Sequence, residues 1–236
     1  MSRLGRLGPL TPVAVALALA VSFLGSCTDH EPEDAVEAVG SETITIRTVD
    51  GLTLDVPTGG GVVITGADGA GTSAVIRALA GLLVPFSGLV EVLGSPAHDP
   101  ALRPRVGYCP ERRPFVRHLR VREVGVIVAR VRGLGTAAAA PALRASGLDP
   151  DDARRVGGLE LGDVRRLALA CALVGDPDVL VLDDPWEYPE TVEALGAARA
   201  RGATVVLATP DPGGFPGLVG PLVTLPGGGD EQEGRP

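Results

Sequence analysis

Eight residues, Gly66-Ala67-Asp68-Gly69-Ala70-Gly71-Thr72-Ser73, join an apolar run (Val62-Val63-Ile64-Thr65) to a helix-prone stretch from Ala74 to Ala80. Spaced glycines at such a junction let backbone N–H groups curl around an anion, and the N-terminus of the following helix favours negative charge there. The pattern G-x-x-x-x-G-K-[ST] does this to phosphates, with its lysine supplying charge and its hydroxyl a ligand for Mg²⁺. Here the hydroxyl is Ser73, but the lysine position holds Thr72, and the chain contains no lysine at all. Threonine offers a neutral hydrogen bond and no charge. Further on, the apolar run Val179-Leu180-Val181-Leu182 ends in Asp183-Asp184, and Arg105-Val106-Gly107-Tyr108 leads to Glu111. Carboxylates at strand ends, with a serine hydroxyl, are oxygen ligands for a hard cation. A plainer reading also fits: Thr72 and Ser73 cap a helix, and the aspartates are solvated. With 33 glycines in 236 residues, a spaced-glycine loop arises by chance often enough that order and spacing must carry the case.

The elements that would position these groups alternate. Thr43 to Arg47 and Leu52 to Val56 have a two-residue period around Asp50-Gly51, which predicts a hairpin. A strand over Val62 to Thr65, the loop and its helix follow, then short strands over Gly88 to Leu93 and Arg105 to Tyr108. Val121 to Val131 and Ala137 to Ala145 have helical spacing. Gly162 to Val174 reads as an amphipathic helix with Arg165 and Arg166 near its start. The uninterrupted apolar run ending at Asp183 is the pattern of a strand buried on both faces. A helix over Glu190 to Arg199 and strands over Ala203 to Ala208 and Leu222 to Leu225 complete an α/β chain with a parallel central sheet.

Five landmarks stand in order: residues 66–94, "RVGYCPE" from Arg105 to Glu111, the helical stretch from Arg112 to about Gly158, "LELGDVRRLALACALVGDPDVLVLDDP" from Leu159 to Pro185, and "GATVVLATPDP" from Gly202 to Pro212. Over residues 52–225 the chain resembles the nucleotide-binding domain of ATP-binding cassette (ABC) transporters. The resemblance implies an α/β, P-loop NTPase-like sheet core with a helical subdomain at about 112–162 and an N-terminal β hairpin, the domain as a whole spanning 41–226. It also implies Mg-ATP as ligand, with Gly66, Asp68, Gly69, Gly71, Thr72 and Ser73 around the phosphates. Ser73, Asp183 and Glu111 would face Mg²⁺.

Residue by residue, the family's chemistry is altered. The lysine is Thr72, and the metal-facing glutamine is Glu111, an extra carboxylate beside phosphate. The catalytic glutamate is Asp184, one methylene shorter. The switch histidine is Pro210, which has no side-chain donor or acceptor. The L-S-G-G-Q signature reads Leu159-Glu160-Leu161-Gly162-Asp163, so an anion stands where the partner's γ-phosphate would dock. The resemblance therefore implies a degenerate domain, a pseudo-ATPase that holds Mg-ATP weakly if at all and keeps a structural or regulatory role at a membrane. Two alternatives stay open. One is an active ABC ATP-binding subunit with a relocated cation, Arg77 or Arg112. The other is an extracytoplasmic lipoprotein using the fold as a non-catalytic binding module.

The net charge of −8 argues against nucleic acid as a partner. Cys27, Cys109 and Cys171, like His30, His98 and His118, are too scattered for a zinc site or a disulfide framework. Arg3 and Arg6, the apolar stretch from Val13 to Leu24, and Leu24-Gly25-Ser26-Cys27 resemble a bacterial lipoprotein signal over residues 1–27, with lipid attached at Cys27. Residues 28–40 then form an acidic tether, and 227–236 a loose tail. The expected partners are membrane lipid through the N-terminus and either a transmembrane transporter subunit or a second ABC-type domain. The expected location is the membrane, with its face open: the signal points outside the cytoplasm and the fold points inside.

Overall fold

The computed structural model describes residues 43–49, 52–112, 115–215, 217–218 and 220–225. Contacts divide the chain into two units, Met1–Val36 and Glu37–Pro236, and every described residue belongs to the second. The signal with Cys27, the tether, the Asp50-Gly51 turn and the tail fall outside the described residues.

Nine strands form two sheets among the described residues. The first, β2-β1-β4-β5, is antiparallel: β1 (Thr43–Val49), β2 (Leu52–Pro57), β4 (Leu89–Val92) and β5 (Ser95–Pro96). The second, β6-β7-β8-β3-β9, is parallel: β3 (Gly61–Gly66), β6 (Val106–Cys109), β7 (Val179–Asp183), β8 (Thr204–Ala208) and β9 (Leu222–Leu225). Every residue of β7 and β8 is buried, as continuous apolar runs require when helices or a second sheet cover both faces.

The two-residue period of a strand sorts these side chains between two cores. Val62, Ile64, Val179, Val181 and Val206 pack with the antiparallel sheet and with Ile76 and Leu79 of α1 (Thr72–Leu79). Val63, Leu180, Leu182, Val205 and Leu207 point the other way, onto Leu169 and Leu173 of α4 (Leu161–Leu173) and Leu195 of α5 (Pro189–Ala200). A third cluster joins α2 (Val121–Val131), α3 (Ala139–Ala145) and α4 through Val121, Val124, Leu143, Leu167 and Ala170. Arg132 fastens this helical part to the core. Its guanidinium donates to the Val174 carbonyl at 2.6 Å and to that of Ala172 at 3.3 Å, satisfying carbonyls that the end of α4 leaves without partners.

One expectation is corrected. Helix α1 starts at Thr72, not Ala74, and its N-cap is Gly71, with no side chain capping it. Thr72 and Ser73 are not capping residues but lie in the first turn, because Gly71 at φ 86° supplies the change of direction.

Candidate functional site

Strand β3 delivers the chain at Gly66, where a Cβ would lie 2.8 Å from the Ala70 Cβ, so only glycine fits. The loop tightens through Ala70 N–H donating to the Ala67 carbonyl at 2.9 Å. Gly69 (φ 83°) and Gly71 (φ 86°) have free space around them, so they are needed for conformation and not for room. Asp68, Gly69 and Gly71 are exposed, and Thr72 and Ser73 half-buried.

Across the sheet, the Ser73 hydroxyl donates to Asp183 Oδ1 at 3.0 Å. Asp183 is only 4% exposed. Burial raises its carboxyl above the ordinary carboxylate range; the Ser73 bond and the Arg77 charge pull it down, while Glu111 and Asp184 push it up. Burial, then the Asp183 charge, likewise push the Tyr108 phenol up to about 12. The Ser73 hydroxyl and the Asp183 carboxyl are oxygen donors of the kind a hard cation takes. Three carboxylates feel one another there, but Glu111 is exposed. Among the described residues no three His, Cys, Asp or Glu side chains converge closely enough to hold a metal unaided. A bound Mg²⁺ would rely on Ser73, Asp183 and oxygens from its ligand, so the donor set fits the cation half of Mg-ATP.

The strand end beyond this pair is acidic. Beyond Asp183 the chain turns through Asp184, whose φ is 46° and whose N–H donates to the Ala208 carbonyl at 2.9 Å. Asp184 opens onto a cleft of about 490 Å³ lined also by Trp186, Glu187, Tyr188, Pro210 and Asp211. Three carboxylates line it, and Arg165 and Arg166 lie against its aromatic walls, Trp186 and Tyr188. Thr209 is buried; its hydroxyl accepts from the Asp211 N–H at 3.2 Å, so it too is engaged locally. Pro210 is exposed and brings shape alone.

The segment Glu160 to Asp163 opens α4. Glu160 is the N-cap by backbone conformation but makes no side-chain cap bond, and it is exposed. Leu161 is 61% exposed, and Gly162 and Asp163 are half-buried. Asp163 bridges two guanidiniums, Arg154 at 2.6 Å and Arg166 at 3.2 Å, and Arg166 continues to Glu190 at 3.2 Å. Arg154 also holds the buried Asp152 at 2.6 Å and drives its carboxyl below the usual range. Above this chain, the Arg165 guanidinium lies 3.0 Å from the Trp186 ring centroid, Trp186 stacks on Tyr188 at 6.0 Å, and Arg166 lies 5.2 Å from Tyr188.

Of the residues singled out from the sequence, the fold thus gathers the glycine loop, Ser73 and Asp183. Glu111 and Asp184 stand within electrostatic range of Asp183, and Pro210 shares the Asp184 cleft. Of Glu160 to Asp163, only Asp163 is paired, with Arg154 and Arg166, while Glu160 and Leu161 are exposed. The aromatic stack and the ion-pair chain were not foreseen. The only available signal was the pair Arg165-Arg166, some twenty residues from Trp186 in sequence.

With this geometry in hand, comparison with known proteins is decisive. The ABC transporter family model matches residues 49–187. The chain belongs to the ABC transporter family. Among relatives of known role, the Nod factor export ATP-binding protein I of Burkholderia orbicola (strain AU 1054) is 35% identical over 173 residues, 68% of this chain and 57% of that protein. The same-named protein of Rhizobium sp. (strain N33) is 34% identical over an equal length and coverage. The chain therefore spans little more than half the length of these relatives. A bacterial ABC transporter cassette solved in dimeric form superimposes with a TM-score of 0.65 at 19% identity, covering 80% of this chain and 94% of that one. An ATP-binding subunit of an ABC transporter gives 0.62 at 23%, covering 71% and 78%. At such identities the structures establish the fold alone: an α/β, P-loop NTPase-like ABC domain with a parallel sheet core.

Proposed function

We propose that this ABC-family chain is a pseudo-ATPase, a degenerate ATP-binding domain with little or no hydrolysis that serves a structural or regulatory role beside a membrane partner. The observation that carries this reading is Thr72 in place of the charged residue of the loop, combined with the three carboxylates that line the cleft at Asp184. A polyanion would meet repulsion at the rim and too little compensation from the loop. Mg-ATP would be held weakly, through the loop amides, Ser73 and Asp183. The experiment is a steady-state hydrolysis assay of the full chain with Mg-ATP; turnover abolished by Asp184→Asn would refute the reading.

A second reading has its own support. The Arg77 charge is near enough to lower both the Asp183 carboxyl and the Tyr108 phenol, so it could replace part of the missing lysine charge in an active ATP-binding subunit. In that case Arg77→Ala would abolish Mg-ATP turnover that the wild type performs.

The organisation proposed from the sequence goes with the first reading: a lipoprotein-type signal over 1–27 lipidated at Cys27, an acidic tether over 28–40, the domain over 41–226 and a tail. Among the described residues no helix is long and apolar enough to cross a membrane; attachment is assigned to the N-terminal segment from its sequence pattern. The partner is a transmembrane transporter subunit, of the export type if the relatives' role carries over, or a second ABC-type domain. Should the N-terminal segment instead export the domain, it would be a non-catalytic binding module; protection from external protease in intact cells would exclude that.

A further inference from the structure

Seven large apolar side chains are exposed among the described residues, and three of them share one loop: Leu83 (43%), Val84 (61%) and Phe86 (107%). The other four are dispersed over α2, α4, β9 and the Asp184 cleft. The loop is a built feature. Helix α1 closes with Gly81 N–H donating to the Ala78 carbonyl at 3.0 Å and Leu82 N–H to that of Arg77 at 2.8 Å. Gly81 is at φ 70°, and a Cβ there would strike the Ala97 carbonyl. That left-handed stop throws residues 82–87 outward before β4 starts at Leu89. From Ala78 to Val90 the sequence has no charged residue.

We propose that this loop is a membrane contact, with Leu83, Val84 and Phe86 entering the interfacial layer of the bilayer to which the N-terminal segment is anchored. The inference rests on the anchored reading above. Leu7 to Thr28 is an uncharged stretch, and only 15 residues lie between Cys27 and Thr43, at most about 55 Å of extended chain. Thr43 begins β1, which pairs with β4 in the register Arg47 to Leu89 and Thr45 to Glu91. The loop therefore lies at the other end of the same strand pair, roughly 15–20 Å from Thr43, well within the tether's reach. Area selects lipid over protein as the occupant. Three side chains present about 300–400 Å² of apolar surface, whereas a specific protein interface needs roughly 800 Å² from each partner. Shallow insertion of a few apolar groups beside an anchor has no such minimum.

The test uses the full chain with Trp186→Phe, which removes the sole tryptophan, together with Phe86→Trp, on phosphatidylcholine vesicles with brominated acyl chains. Val131→Trp in the same background, at an exposed position on α2, is the control. The expected result is a blue-shifted emission at position 86 and quenching about two-fold or more stronger than at 131. If the chain floats with vesicles but position 86 is quenched no more than 131, the loop contact is wrong and the patch is left to a protein partner. A chain that fails to float overturns the anchor and the contact together.

Discussion

The glycine loop and the strand-end cleft differ in what holds their residues in place. In the loop the backbone is intact: Gly66 has no room for a side chain, Gly69 and Gly71 take left-handed conformations, and Ser73 reaches Asp183. In the cleft and the opening of α4, the side chains form a different structure. Asp184, Glu187 and Asp211 face the cavity, Trp186 and Tyr188 stack beneath Arg165 and Arg166, and Asp163 is consumed by two arginines. The backbone of a glycine loop is held by conformational demands that folding itself imposes. At the cleft and the opening of α4 the side chains are held by one another, through the Arg165–Trp186 stack and the Asp163 ion pairs.

The largest expected effect tests whether the loop is still competent. Thr72→Lys would restore a charged donor; a hydrogen bond to a charged group is worth about 1.5–3 kcal/mol, so Mg-ATP affinity by calorimetry should tighten on the order of 10- to 100-fold. No gain would mean that the acidic rim, and not the missing lysine, sets the affinity.

The ion-pair chain should respond to acid. Arg154→Ala would cost about 1 kcal/mol by urea unfolding at pH 7, discounted because the guanidinium is 55% exposed. Asp152 has its carboxyl lowered by Arg154, so its contribution is present above the unfolded value of about 3.9 and fades as pH falls through the folded one. The gap between wild type and variant should shrink below about pH 4. A gap that persists there would mean that Arg154 acts by packing.

Smallest of all, Trp186→Ala should remove the Arg165 stack and lower stability by about 0.5–1 kcal/mol while leaving Mg-ATP affinity where it was. A parallel loss of affinity would show that the stack serves the ligand, and the contrast between the two regions would fail.

The sequence made the loop and the sheet legible because each rests on a local rule. Val121–Val131 and Val179–Asp183 end where their apolar patterns end, and alternation along β7 and β8 sets which side chains meet each core. Helix α1 starts two residues before the stretch that predicts it, because a threonine–serine pair has the composition of a cap whereas Gly71 takes that place by conformation. β5 has two residues and no pattern to read. The Arg165–Trp186 and Arg154–Asp163 contacts join segments whose local sequences predict only exposed charge. The first becomes visible once β7 returns the chain to the start of α4, the second once residues 154 and 163 flank that start.

The central claim concerns one property, whether Mg-ATP is held and turned over. Titration calorimetry of the full chain with Mg-ATP, followed by phosphate release on the same sample, tests it most directly. The account predicts a dissociation constant no tighter than about 1 mM, equivalent to roughly −4 kcal/mol, and no release above background. Saturation at micromolar Mg-ATP, with phosphate release that disappears in Asp184→Asn, would contradict it.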